Sequence, residues 1–96
     1  RIDAPRLAAE RGAELSARLT ALPGVAGVRG AGLLLAVELA PGVDAKAVYS
    51  RLLANGLVTN AVTPTALRLA PPLTVTGAEI DEAVEIMRTT LQEFIA

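Results

Sequence analysis

The sequence predicts an α+β two-layer sandwich, a small and mainly antiparallel sheet with helices packed on one face. Two observations carry that expectation. Three stretches repeat apolar residues at three- and four-residue spacing, and the runs between them alternate apolar and polar residues, the signature of strands. The order is helix, strand, helix, two strands, helix. The last two strands are joined by a short turn, which favours antiparallel pairing there.

The first element is an amphipathic helix over 3–22. Leu7, Ala8, Gly12, Leu15, Leu19 and Leu22 form its apolar stripe, while Arg6, Glu10, Glu14 and Arg18 make a solvated face of paired charges. Pro5 suits a first-turn position, where a missing N–H costs nothing, and Pro23-Gly24 ends the helix. Gly12 inside it costs about 1 kcal/mol against alanine, so a close packing contact is expected there. Gly24, Gly27, Gly30 and Gly32 then read as turn and bulge positions. Gly30-Ala31-Gly32 is not a phosphate loop, because the third glycine is missing and a strand follows.

The strand over 33–39 puts Leu33, Leu35, Val37 and Leu39 on one face and Leu34, Ala36 and Glu38 on the other. Leu34 and Ala36 mark that second face as partly covered by another domain or a partner. After the turn at Pro41-Gly42, Asp44 caps a second helix whose core stripe is Ala45, Val48, Tyr49, Leu52 and Leu53, closed by Asn55-Gly56. A strand over 57–60, a turn at Thr63-Pro64-Thr65, a strand over 66–70 and a Pro71-Pro72 stop come next. Thr76 to Glu79 spells a capping box, with Val75 and Ile80 as its hydrophobic staple. Ile80, Ala83, Val84, Met87, Leu91 and Phe94 (with Ile95) form the stripe of the last helix. Glu79, Asp81, Glu82 and Glu85 crowd its first turns, where the helix dipole favours negative charge.

Ninety-six residues make one small domain. Aromatic content is only 2%, so the core rests on Leu, Val, Ile and Ala. There is no cysteine or histidine, which removes thiol chemistry and the usual ligands of a transition-metal site, and no metal is expected. A formal net charge of −1 gives no attraction to nucleic acid, and no apolar run approaches a membrane span or a signal peptide. The chain begins at Arg1 rather than at methionine, the pattern expected of part of a longer protein. Ser16 and Ser50 lack a histidine to activate them, so no nucleophile and base pair can be assembled. Lys46, the only lysine and hence the only Schiff-base candidate, lies in the first turn of the second helix on its polar side.

One charge stands out. Along the strand over 66–70, Leu67 and Leu69 face one way, and Ala66, Arg68 and Ala70 the other. A guanidinium is always charged and presents a planar fork that matches a carboxylate. Arg68 is therefore either a solvated edge-strand charge or a carboxylate-binding arginine held on a rigid strand.

The segments NAVTPT (60–65) and LRLAPPL (67–73), with VRGAGLLLAVEL (28–39) before and TGAEIDEAV (76–84) after, resemble the C-terminal part of acetylornithine aminotransferases. These are class III aminotransferases that use pyridoxal phosphate. The resemblance runs from about Val28 to the end; RLAPPL marks the class, and NAVTPT points to the acetylornithine and succinylornithine enzymes. It implies that residues 1–96 are a single small C-terminal domain of a larger two-domain enzyme. The catalytic lysine, and most contacts to the cofactor, then belong to a large domain upstream, so no catalytic or cofactor-binding residue is assigned here and the isolated chain is expected to be inactive. Arg68 would bind the substrate α-carboxylate, with Asn60 and Thr63 as further pocket residues or simply turn-formers.

The implied reaction moves an amino group from N-acetylornithine to 2-oxoglutarate in arginine biosynthesis. The amino acid and 2-oxo acid are the small-molecule substrates; the large domain of the same chain and a second subunit of a cytoplasmic homodimer are the expected partners. Ornithine, succinylornithine and 4-aminobutyrate stay open as donors. The alternative is a free-standing carboxylate-binding or structural dimerisation module without catalysis.

Overall fold

A computed structural model describes residues 4–71 and 75–95. Its elements are α1 (Ala4–Thr20), β1 (Val25–Ala31), β2 (Leu34–Leu39), α2 (Ala45–Ala54), β3 (Asn60–Thr63), β4 (Ala66–Leu69) and α3 (Gly77–Gln92). The four strands form one sheet in the order β1-β2-β4-β3, antiparallel throughout. Leu15 and Leu19 of α1, Val48 and Leu52 of α2, and Ile80, Met87 and Leu91 of α3 share one core with Leu35, Val37, Leu67 and Leu69 of the sheet. The expected α+β sandwich, with an antiparallel sheet and helices on one face, is the architecture found.

Local chemistry accounts for the helix ends. Asp44 caps α2 by accepting from the Lys46 N–H at 3.1 Å. At the other end the Leu57 N–H reaches the Leu52 carbonyl at 2.8 Å and the Gly56 N–H reaches that of Leu53 at 3.2 Å, a Schellman closure that needs Gly56 at φ +97°. In α3 the Thr76 hydroxyl accepts from the Glu79 N–H at 3.1 Å while the Glu79 carboxylate accepts from the Thr76 N–H at 2.9 Å. The capping box is complete. Gly12 also has its packing reason: a Cβ there would lie 1.8 Å from the Gly32 carbonyl oxygen, so only glycine lets α1 settle on the β1–β2 turn.

Four expectations need correction. The glycine-rich stretch Val25–Ala31 is a full strand, bulged between Val25 and Gly27, because β2 supplies its hydrogen-bond partners even though its glycines lack strand propensity. The strand expected over 57–60 runs instead over Asn60–Thr63, since Leu57 is committed to closing α2. Within the described residues α1 ends at Thr20, and Leu22 is buried from the following turn through its N–H to the Leu19 carbonyl. Leu53, placed on the core stripe by spacing, is 49% exposed. Asp3 and the Pro72 of the expected stop lie outside the described residues.

Candidate carboxylate-binding face

The sheet has one face under the helices and one face open, and strand register decides what stands on the open one. Directly opposed residues of antiparallel strands share a face. Arg29 opposes Ala36, Ala36 opposes Arg68, and Arg68 opposes Asn60, so one row crosses the sheet as Arg29–Ala36–Arg68–Asn60. The next row holds Gly27, Glu38 and Ala66. On the covered face the matching row is Val28, Val37, Leu67 and Ala61. The alternation read for β2 and β4 holds: Val37 and Leu67 are fully buried, whereas Leu34 is 56% exposed and Arg68 is exposed. Ala66 stands on the open face and is buried all the same.

Arg68 does not occupy an edge strand. β4 lies between β2 and β3, which removes the reading of Arg68 as an ordinary edge charge that discourages strand addition. Its backbone is held by ladders on both sides, and among the described residues its guanidinium has no ion-pair partner. A fixed stem with an unengaged, planar, permanently charged head is what bidentate capture of a carboxylate requires.

The three residues singled out by sequence do not all meet. Asn60 is the direct cross-strand neighbour of Arg68, and its amide stands on the same face. Thr63 lies beyond a bulge, opposite Ala66, and its hydroxyl accepts the Thr65 N–H at 3.2 Å across the Pro64-Thr65 turn. Asn60 and Thr63 line a groove of about 550 Å³ with Asp44, Lys46, Tyr49 and Pro64, and Arg68 is not part of its lining. Sequence reading missed Arg29 and Glu38, whose side chains form an ion pair on the open face (Nη2 to Oε1, 3.6 Å). The signal was present: they are the only two charges in VRGAGLLLAVEL.

The groove does not make a pyridoxal phosphate site. Lys46 is exposed at the start of α2, and Asp44, the only acidic residue in the lining, is spent as the helix cap. Among the described residues no cluster of three or more acidic side chains converges as a metal site would require, and no helix is long and apolar enough to cross a membrane.

The family profile described as Aminotransferase class-III matches residues 4–91. The ornithine aminotransferase of Bordetella pertussis is 49% identical over 78 residues, which cover 79% of this chain and 19% of that protein. The acetylornithine aminotransferase of Bifidobacterium longum is 51% identical over 61 residues, covering 64% of this chain and 14% of that protein. Among solved structures, an N-acetylornithine aminotransferase from Stenotrophomonas maltophilia superposes with a TM-score of 0.81 at 26% identity, covering 93% of this chain and 26% of its own. The ornithine aminotransferase of Plasmodium yoelii superposes at 0.77 with 34% identity, covering 96% of this chain and 25% of its own. This chain therefore spans under a fifth of those two curated relatives and about a quarter of the solved ones.

Proposed function

The chain belongs to the class-III aminotransferases, and on that premise we propose that it forms the small C-terminal domain of an acetylornithine, or closely related, aminotransferase in which Arg68 anchors the substrate α-carboxylate. The observation that carries the reading is Arg68 itself: an arginine on an internal strand of the sheet's open face, with no ion-pair partner among the described residues. Class-III aminotransferases in general use pyridoxal phosphate. The cofactor and the lysine that carries it belong, in this reading, to a large domain that covers the open face where Leu34 is left exposed. The enzyme would work as a cytoplasmic homodimer in arginine biosynthesis.

The chemistry of this chain is positional. N-acetylornithine and 2-oxoglutarate both carry an α-carboxylate. In the acceptor it is attached to the reacting carbon; in the donor it sits on a carbon three bonds from the carbon of the reacting terminal amine. One guanidinium can therefore anchor either substrate, at a different distance from the reacting atom in each half-reaction. A fork-to-fork pair is roughly twice as strong as a neutral hydrogen bond and fixes the approach angle as well as the distance. Asn60, directly across the strand pair, sits where its amide can meet the same carboxylate or the group beside it. Ornithine shares the α-carboxylate and the terminal amine, so the anchoring role is common to both donor names found among the relatives.

The test is Arg68→Lys in the full-length protein that carries this chain. Lysine keeps the charge and loses the fork, so kcat/KM is expected to fall at least about tenfold, about 1.4 kcal/mol, for amino donor and 2-oxoglutarate alike. Unchanged values for both would overturn the assignment.

A further inference from the structure

Only three charged residues occur in the four strands, Arg29, Glu38 and Arg68, and all three stand on the open face. Glu38 opposes Gly27 on one side and Ala66 on the other, which puts it one diagonal step from Arg29 and one diagonal step from Arg68. Such diagonal neighbours lie about 7–8 Å apart at the backbone, within reach of long side chains. A single carboxylate thus stands between two arginines at matched spacing, and it pairs with Arg29. The two sides differ in room. Among the described residues a side chain at Gly27 would meet nothing within 4 Å, so the space above it is open for Glu38 to lean across, whereas on the β4 side Glu38 stands beside the methyl of Ala66.

We propose that Arg29 is a positioning residue that occupies Glu38 and so keeps Arg68 available to the carboxylate of the substrate; this rests on the carboxylate-anchoring role proposed for Arg68. Among the described strand residues Glu38 is the one carboxylate on this face, and it can compete with substrate for the Arg68 fork. While Glu38 is paired with Arg29, that competition is suppressed. Once the Arg29 cation is removed, Glu38 swings to the nearest remaining cation one diagonal away, and a substrate carboxylate must displace it before binding. The cost falls on binding and not on the chemical step.

The experiment is steady-state kinetics on the full-length protein that carries this chain, with four variants. Arg29→Gln is expected to raise KM for the amino donor and for 2-oxoglutarate about two- to fivefold, the range set by the strength of an exposed ion pair, with kcat little changed. Arg29→Lys keeps a cation for Glu38 and is expected to hold the wild-type KM. Arg29→Gln with Glu38→Gln removes the competitor along with its partner and is expected to restore KM, an outcome that loss of a structural contact would not produce. Arg68→Gln reports on the anchor separately. If Arg68→Gln impairs both substrates but Arg29→Gln leaves KM unchanged, or the double variant stays impaired, the inference about Arg29 is overturned while the anchor stands. If Arg68→Gln has no effect, the anchor and this inference fall together.

Discussion

Replacing Gly12 by alanine sets two effects against each other, and their sizes decide the result. In an exposed helix, glycine to alanine gains about 1 kcal/mol of helix propensity. In α1 the new methyl would sit 1.8 Å from the Gly32 carbonyl oxygen and 2.6 Å from its carbon. Both are backbone atoms of a tight turn at φ +56°, so no side chain can rotate away, and α1 must lift off the β1–β2 hairpin by more than an ångström. Overpacking of this kind costs about 1–3 kcal/mol, and a backbone obstacle belongs at the upper end. The net expectation is a loss of about 2 kcal/mol, a fall in Tm of about 8–16 °C for a domain of this size. Thermal unfolding followed by circular dichroism measures it. Ala17→Gly at an exposed position of the same helix serves as the control, with an expected cost of about 1 kcal/mol. If Gly12→Ala proves as stable as the parent or more so, the close approach of α1 to the hairpin is refuted.

Other outcomes follow from the same geometry. Thr76→Ala removes the capping box and is expected to cost about 1 kcal/mol in chemical denaturation, whereas Thr76→Ser should cost much less. Thr59→Val is expected to be neutral or stabilising by up to about 1 kcal/mol, because the buried Thr59 hydroxyl has no hydrogen-bond partner among the described residues; a clear loss would show that it has one. Gly56→Ala forces a methyl-bearing residue to φ +97° and should cost about 1–3 kcal/mol, read as a lower denaturation midpoint. A hydrogen bond and then the charge of Arg88 hold the Glu85 carboxyl below its ordinary value, so the pair stabilises the fold above the unfolded carboxylate range. That small contribution is lost as pH falls through the lowered native value, and Glu85→Gln should flatten this part of the acid limb of a stability–pH curve.

Much of this architecture is legible in the sequence alone. The stripe from Ile80 to Leu91, the cap at Asp44, the closure at Gly56 and the alternation of Leu35, Val37, Leu67 and Leu69 are local patterns, and each is realised. β1 was not legible, because Val-Ala-Gly-Val-Arg-Gly-Ala has little strand propensity and becomes a strand only when β2 offers a ladder to it. The start of β3 was misplaced for a related reason: a hydrogen bond reaching back into α2 claims Leu57, and strand pairing begins where Arg68 stands opposite Asn60.

By itself, then, the sequence determined the α+β class, the helix boundaries that side-chain caps enforce, the glycine demanded at position 12, and the fork-bearing arginine at position 68. Periodicity and capping act over a few residues and are written into the chain at that range. Only the tertiary structure decided that β4 is internal, that Asn60 is the neighbour of Arg68, and that Arg29, Glu38 and Arg68 stand on one open face. Strand order and register are pairings between segments as much as 34 residues apart, as Leu35 and Leu69 are, and they are set by burying one face of every strand at once. No local pattern carries that information.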